Sequence, residues 1–363
     1  MKCFSAKWMM PAFILMVFGV SSCSDNDNPK TTPKEETIEN DLSQFTLPAY
    51  ADESVKINLN GNPAGIQSVE LTESGEYIIT YGYNYSNYAA SANEEVYLTD
   101  NKGKSHSKIV NMLEKVMPAR QKHTGATRYG DGYGYGSFIK VAEGEYILNG
   151  YGSITISGSS DGAMEVIMNP QDGESFTVGG QKEKTYSLDD KATLALCRSW
   201  SASRFHVRYL INGDVASDQE GPYSDYHNIL QKVSKDLYNY FYNKYGAYFD
   251  EDDDDDFEED DFDDFLDDYS SAYPINVVFT RSGSYLVEFS NDMLDVRQWK
   301  WTDINAQKIL FSYYLDSDLD YTGQRSEFTF NGNQSIAHTV NSETDEDFGM
   351  ISVHVWETFT EKY

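Results

Sequence analysis

Short segments of alternating apolar residues, separated by tight-turn residues, recur along most of this chain. The pattern is typical of antiparallel strands joined by hairpins, because strand side chains alternate between two faces while Gly, Asn and Asp accommodate the turns. The clearest hairpins are predicted around residues 73–76, 142–145 and 158–162, the last with an Asp-Gly turn. This feature predicts a mainly β fold, arranged as barrels or sandwiches.

The second half of the chain continues the pattern. Its predicted strands lie at residues 192–196, 205–211, 277–280, 285–289, 298–302, 309–315, 327–330, 335–340 and 351–358. Helical spacing of apolar residues predicts one helix around residues 109–117 and another over residues 224–245. The predicted fold class is therefore mainly β, with two antiparallel β modules and one inserted helix in each.

One short motif occurs in both halves. Residues 69–81 read VELTESGEYIITY and residues 277–289 read VVFTRSGSYLVEF, so both contain Thr-x-Ser-Gly-x-Tyr followed by apolar residues. Either two modules share this hairpin by duplication, or tight hairpins have converged on Ser-Gly because of its suitability for turns.

The N-terminus has the pattern of an export signal. Lys2 and Lys7 supply positive charge before an apolar stretch, residues 11–20, which is too short for a bilayer because a spanning helix needs about 20 residues. The stretch ends at Val20, and Ser21 and Ser22 then lead to Cys23. This ending resembles the lipobox of bacterial lipoproteins, in which the cysteine is lipidated and becomes the first mature residue. The Ser-Asp-Asn-Asp stretch after Cys23 is similar to the surface-export signal of lipoproteins from the Bacteroidota.

The resemblance implies a protein that is held at the outer membrane by lipid on Cys23 and faces the cell exterior. Residues 1–22 would be the signal peptide. Residues 23–44 are polar and contain proline, so they are predicted to form a flexible tether. A bacterial lipoprotein cysteine usually carries several acyl chains, and two or more hold a protein stably where one does not.

Charge and cysteine content narrow the function classes. The chain has 28 Lys and Arg against 59 Asp and Glu, a formal net charge of −31. This argues against nucleic acid as a partner, because phosphate contacts need clustered Lys and Arg. Once Cys3 leaves with the signal and Cys23 is lipidated, only Cys197 remains, so no internal disulfide can form. Cys197 lies in an apolar stretch and is predicted to be a buried, unreactive thiol.

Three short motifs in the second half resemble those of lipocalin-like domains of Bacteroidota lipoproteins. They are a Leu-x-x-x-Trp strand ending at Trp200, a Phe-Thr-x-x-Gly-x-Tyr hairpin ending at Tyr285, and a Trp-Lys-Trp strand at residues 299–301. The resemblance covers roughly residues 194–362 and implies a small antiparallel barrel that can hold an apolar or sugar ligand. Barrels of about eight strands can equally be filled by their own side chains.

The predicted mature chain has two domains and one unusual insertion. An N-terminal β module spans residues 45–189, and the lipocalin-like domain spans residues 190–363. Within the second domain, 15 of the 19 residues at 250–268 are Asp or Glu. Such a block repels itself and is predicted to be a solvated insertion. The alternatives are divalent-cation binding or docking of its Phe residues on a basic partner.

A second acidic segment has carboxylates at the spacing of an EF-hand loop. Asp316, Asp318, Asp320 and Glu327 occupy positions one, three, five and twelve, which supply oxygen ligands to Ca²⁺. Position six is Tyr321 instead of Gly, and strands instead of helices are predicted on both sides. A polar hairpin loop with at most weak Ca²⁺ binding is therefore the favoured interpretation.

A Tyr/Gly segment, residues 129–136, supplies the candidate ligand-binding residues Tyr129, Tyr133 and Tyr135. Exposed tyrosines can stack on sugar rings and form hydrogen bonds through the hydroxyl. The alternative is that these tyrosines pack on the barrel.

No catalytic constellation is predicted. Residues 158–162 match Gly-x-Ser-x-Gly, but strands are predicted on both sides, whereas a nucleophile elbow needs a helix after it. The six histidines do not pair at metal-ligand spacing along a helix or strand. His206 with Arg208, and His354 with Trp356, share strand faces and are predicted to be structural.

The sequence therefore favours a non-enzymatic, surface-anchored lipoprotein that binds a small apolar ligand or a glycan. A structural or adhesion lipoprotein without a small ligand is the alternative, and an enzyme is a distant third. The sequence leaves the oligomeric state open.

Overall fold

The computed structural model describes residues 39–82, 127–128, 132–158, 162–245, 272–311, 324–345 and 348–362. Within them the protein is mainly β and contains two closed antiparallel barrels of eight strands each, which confirms the predicted fold class. The helix predicted around residues 109–117 lies outside the described residues, as does the acidic segment 250–268.

The first barrel uses the N-terminal half of the chain. The first nine strands are β1 (Val55–Leu59), β2 (Ile66–Leu71), β3 (Glu76–Tyr81), β4 (Thr127–Arg128), β5 (Tyr133–Ala142), β6 (Glu145–Leu148), β7 (Gly152–Gly158), β8 (Ala163–Pro170) and β9 (Phe176–Lys182). All except β4 belong to the barrel, which closes where β1 pairs with β9. The three hairpins predicted in this half each join antiparallel neighbours, β2–β3, β5–β6 and β7–β8.

The second barrel uses the C-terminal half. Its strands are β10 (Ser199–Ile211), β11 (Asp214–Pro222), β12 (Pro274–Phe279), β13 (Ser284–Phe289), β14 (Met293–Asp303), β15 (Lys308–Phe311), β16 (Gln324–Asn331), β17 (Gln334–Asp345) and β18 (Gly349–Glu361). The long strand β10 pairs with β18 along one edge. Its other edge pairs with β12 at the start and with β11 farther on, so β11 is an addition to the closed ring.

Two α-helices are described, α1 (Lys191–Leu196) and α2 (Tyr226–Tyr245). The amphipathic pattern predicted α2, and a 3₁₀ turn, Tyr223–Asp225, leads into it. Its apolar stripe, including Ile229, Val233 and Phe241, is buried against the inward face of β10 and β18. The helix therefore covers one end of the second barrel.

The strand predicted at residues 192–196 is wrong, because these residues form α1. The Asp190 carboxylate accepts a hydrogen bond from the Thr193 N–H at 2.9 Å, which caps the first turn. Ala195 and Leu196 are fully buried. The Trp200 indole then donates to the Leu196 carbonyl at 3.0 Å, so the Leu-x-x-x-Trp motif joins the end of a helix to the start of β10.

Part of the predicted tether, residues 23–44, contacts the second barrel. The Asp41 N–H donates to the Phe330 carbonyl at 2.7 Å, and the Asn40 side chain accepts from the Phe330 N–H at 3.0 Å. Phe45 is buried, with its ring edge-on to Trp200 and Phe330. The segment assigned to the tether and the first residue of the N-terminal module thus pack against the second barrel.

Candidate functional site

Within the described residues, the interior of each barrel is occupied by a core of buried side chains. The first has a core of buried residues that includes Ile57, Ile79, Ile154, Val166 and Met168, each at most 1% exposed. The second has two adjoining cores, one beneath α2 and one rich in aromatic residues. Fully buried aromatic side chains make up much of the second core. In such closely packed cores, the protein's own side chains occupy the interior of the barrel. These interiors favour a ligand site outside the barrels.

Two of the three tyrosines predicted to bind a ligand are described, and they pack against the protein. Tyr135 is 7% exposed and its hydroxyl accepts a hydrogen bond from the Asn276 side chain at 2.8 Å. Tyr133 packs at the edge of the same cluster, and Tyr129 lies outside the described residues. The structure therefore corrects the interpretation of Tyr135, which fixes one barrel to the other instead of presenting a ring to a sugar.

The candidate calcium loop is described only at one ligand. Asp316, Asp318 and Asp320 lie outside the described residues, while Glu327 is exposed on β16 with its carboxylate 3.4 Å from the Lys308 ammonium. In the described ranges, no group of three or more His, Cys, Asp or Glu side chains is placed to hold a metal ion.

Of the two cysteines that follow the predicted signal peptide, only Cys197 is among the described residues. Cys23 lies outside the described residues. Cys197 is fully buried, and this burial raises the pKa of its thiol well above the ordinary value, which agrees with the predicted unreactive thiol. In the part of the chain that is described, the helices are too short or too polar to span a membrane.

The junction of the barrels is built around the two Thr-x-Ser-Gly-x-Tyr hairpins, which share one local structure. In each turn the threonine N–H donates to the carbonyl four residues later, at 2.8 Å from Thr72 and 3.0 Å from Thr280. The turn glycines Gly75 and Gly283 have φ of 90° and 87°, a region that glycine enters without a Cβ clash. The repeated motif thus marks the two hairpins that meet between the barrels.

Polar contacts connect the hairpin tips. The Glu73 carboxylate accepts from the Arg281 backbone N–H at 3.2 Å and lies 3.4 Å from the Arg281 guanidinium. The Ser282 hydroxyl donates to Glu70, and the Arg281 side chain also donates to the Ser54 carbonyl at 3.2 Å. Because Glu70 and Glu73 are both nearly fully buried, these contacts replace only part of the hydration that the carboxylates lose.

An apolar cluster completes the junction. It contains two residues of the first barrel and four of the second, namely Ile78, Tyr135, Val278, Leu286, Leu294 and Val296. The short strand β4 also pairs with β14 of the second barrel. Apolar packing and buried polar contacts therefore join the two barrels, and β4, which lies outside the first barrel, adds a strand pairing to the second.

Glu73 is the most perturbed described carboxyl at this junction. Complete burial raises its pKa to about 7, because the charged form loses its hydration, and the nearby Glu70 adds repulsion. The Arg281 N–H and guanidinium lower the pKa but do not offset the burial. One carboxylate oxygen, Oε2, has no hydrogen-bond partner among the described residues, which agrees with a carboxyl that is only partly compensated.

Beside the hairpin tips lies an open groove of about 440 Å³. Three lysines from different parts of the chain line it: Lys56 on β1, Lys184 in the linker between the barrels, and Lys300 on β14. The Lys56 ammonium is 3.3 Å from the Glu183 carboxylate and donates to the Ser284 hydroxyl at 3.3 Å. Three lysines against one glutamate give the groove a positive balance on a strongly acidic chain.

The groove also has polar neutral groups and an aromatic wall. Gln298 and Ser282 contribute an amide and a hydroxyl. Tyr186 stacks on the buried Trp299, with ring centroids 5.0 Å apart and planes inclined by 26°. Its backbone N–H donates to the Arg281 carbonyl at 2.8 Å, which fixes the linker against the hairpin. Such a surface can bind an anion together with hydroxyl groups.

No local pattern in the sequence reveals this groove. Lys56, Lys184 and Lys300 are far apart in sequence and form no motif. The one signal that could have grouped these lysines is their position near the two related hairpins. Using it would have required knowing that the hairpins are in contact. No family model matches the chain, and no similar curated protein or solved structure is found.

Proposed function

We propose that this protein is a non-catalytic, lipid-anchored surface protein that binds an acidic glycan in the groove between its two barrels. The observation that carries the proposal is the convergence of Lys56, Lys184 and Lys300 on one polar groove. The chain has a net charge of −31, so most of its surface repels anions. A local excess of ammonium groups therefore makes the groove the place where an anionic ligand can bind.

A glycan fits this groove better than an apolar ligand does. The barrel interiors, where an apolar ligand would be bound, hold the protein's own side chains. The groove instead offers ammonium, amide and hydroxyl groups beside the half-buried ring of Tyr186. Carboxylated or sulfated sugars carry the matching acceptors, hydroxyls and ring faces.

The anchor and the lack of catalysis rest on separate observations. The lipobox-like ending at Cys23 supports an anchor at the outer membrane facing the exterior, with the membrane as a partner through lipid alone. The buried Cys197 is unsuited to nucleophilic catalysis, and its raised thiol pKa agrees with this. A structural or adhesion role is the second candidate, and the filled barrels are the observation that favours it.

The test is glycan binding by the full mature chain made without lipid through Cys23→Ala. We expect binding to glycans that carry carboxylate or sulfate, and weaker binding as salt is raised. Lys184→Gln and Lys300→Gln should each lower affinity by about tenfold, because a hydrogen bond to a charged group contributes about 1.5–3 kcal/mol. Lys232→Gln is the matched control, since this lysine is exposed on α2 and does not line the groove.

Lys56 is left intact in this experiment because it also contacts Glu183 and Ser284 at the junction. Equal loss of affinity in Lys232→Gln and Lys300→Gln would contradict a site in the groove. Absence of binding to any acidic glycan would favour the structural or adhesion role.

A further inference from the structure

A cluster of imidazole and indole rings lies on the outer face of the second barrel, on strands β17, β18 and β10. His338, Trp356 and His206 are direct neighbours in register across these three strands. The Trp356 ring stacks on both imidazoles, with centroids 4.6 Å from His338 and 4.5 Å from His206. All three side chains are partly exposed. The cluster is thus accessible from solvent and held in place by stacking on a tryptophan.

A second histidine of β18 brings two ring nitrogens together in this cluster. His354 points to the same face as Trp356, two residues away, and its Nδ1 lies 3.2 Å from Nε2 of His338. The two rings are nearly parallel, inclined by 25°. In this contact one imidazole donates its N–H to the lone pair of the other. Two nitrogens that can each become a metal ligand therefore converge on one point.

The separation of the nitrogens suits a transition-metal ion. With metal–nitrogen bonds of about 2.0–2.1 Å, two ligands at a tetrahedral angle are roughly 3.3 Å apart. Two ligands at the right angle of a square-planar ion are roughly 2.9 Å apart. The observed 3.2 Å lies between these values, so the separation already fits either geometry, and binding requires the rings to turn so that both lone pairs face the ion.

We infer that His338 and His354 form a two-imidazole site for a divalent transition-metal ion of the Zn²⁺ and Cu²⁺ class, with water in the remaining positions. On binding, the ring that donated the hydrogen bond shifts to the tautomer with its proton on the other nitrogen, so that both facing nitrogens offer a lone pair. Imidazole is a preferred ligand of these ions, whereas Ca²⁺ and Mg²⁺ prefer oxygen.

The charges around the pair are compatible with a bound cation. Glu327 is directly opposite His338 on β16, and cross-strand partners share a face, although the Lys308 ammonium 3.4 Å from its carboxylate offsets part of this negative charge. Arg208 is opposite His354 on β10, and its guanidinium lies 5.3 Å from the Trp356 ring. Asp218 offsets this positive charge with a contact of 3.0 Å. The strongly negative net charge further concentrates cations near the surface.

Trp356 makes the site measurable. Its ring stacks on His338 and lies 5.6 Å from His354, and paramagnetic Cu²⁺ quenches the emission of a nearby indole. The experiment is a Cu²⁺ titration of the full mature chain carrying Cys23→Ala, without lipid and without a polyhistidine tag, at pH 7.5. A large excess of Ca²⁺ occupies the carboxylate-rich segments and leaves imidazole sites accessible. Calorimetry reports the stoichiometry and tryptophan emission reports the location.

We expect one Cu²⁺ to bind with quenching, and Zn²⁺ to compete for the site without quenching. His338→Gln and His354→Gln should each lower the Cu²⁺ affinity at least about tenfold, because even the outer-shell partners of metal ligands contribute about 10- to 100-fold. His227→Gln is the control, since this histidine is exposed on α2. Far-ultraviolet circular dichroism of each variant confirms folding. Quenching that is unchanged in both His338→Gln and His354→Gln, or absent from the wild type, would overturn the inference.

Discussion

Replacing Glu73 by glutamine should remove a penalty that the native protein carries at neutral and alkaline pH. Glu73 is 1% exposed at the barrel junction, and burial raises its pKa to about 7 from an ordinary value of 4.5. The native state therefore keeps a proton between these values that the unfolded chain has already lost. Because the native state then binds more protons than the unfolded state, the free energy of unfolding must fall as pH rises through this window.

The magnitude follows from the displacement of the pKa. A displacement of one unit corresponds to about 1.4 kcal/mol. Between the ordinary and the raised pKa, the Glu73 carboxyl therefore costs roughly 3 kcal/mol of stability, and the whole cost is present once the pH exceeds the raised value. A glutamine side chain at this position would be neutral at every pH and similar in shape. Glu73→Gln should therefore lose this dependence and be the more stable protein at pH 8.

The assay is urea unfolding of wild type and Glu73→Gln at several pH values from 5 to 8. Histidines also titrate in this range, so the informative quantity is the difference between the two proteins at each pH. We expect that difference to grow by about 2–3 kcal/mol between pH 5 and pH 8 in favour of the variant. Glu165→Gln, which changes an exposed carboxyl of β8, is the matched control. Parallel curves for wild type and Glu73→Gln would refute the argument that burial dominates over Arg281.

Three further predictions concern the anchor, the helix and the acidic loop. Cys23→Ala should release the protein from the membrane fraction, and retention at the wild-type level would contradict lipid anchoring. Phe241→Ala should lower the free energy of unfolding by about 3–5 kcal/mol, because Phe241 is fully buried on the inner face of α2, whereas Tyr242→Ala removes a ring that is 57% exposed and should cost far less in urea unfolding. Ca²⁺ should shift the melting temperature equally in wild type and Asp316→Ala if the loop is a polar hairpin, and a shift confined to the wild type would reveal a calcium site.

Much of the fold could be predicted from local patterns. The hairpins around residues 73–76 and 142–145 are predictable because turn residues and alternation are both encoded within a few positions. Helix α2 is predictable because Ile229, Val233, Leu237 and Phe241 repeat at helical spacing. These signals are local, so they survive without knowledge of the rest of the chain.

Other elements could not be predicted locally. Strand β11 reads DVASDQEGP, which has little apolar alternation, and its pairing with β10 supplies the backbone hydrogen bonds that keep it extended. Residues 192–196 are apolar enough for a buried strand, but the cap at Asp190 and the packing of the whole segment beneath the barrel favour a helix. A short apolar run is compatible with both structures, and the tertiary environment decides between them.

The candidate sites also depend on tertiary contacts that local sequence patterns do not show. Tyrosines beside glycines are often exposed, which made Tyr135 a candidate, yet its position on β5 turns it toward Val278 and Leu286 of the other barrel. His338 and His354 are 16 positions apart, so spacing along one element gives no reason to pair them. Antiparallel pairing of β17 with β18 makes them neighbours, and only the strand register reveals this.

The sequence by itself determined the strands, the turns, the acidic balance and an N-terminus that resembles a lipoprotein signal. These are properties of neighbouring residues or of total composition. The tertiary structure decided that the two Thr-x-Ser-Gly-x-Tyr hairpins meet, that Glu73 is buried against Arg281, and that Lys56, Lys184 and Lys300 line one groove. Each of these depends on side chains brought together from distant parts of the chain by barrel closure and barrel packing. Such contacts arise from burial and strand register, which are set by the whole fold and not by any local stretch of residues.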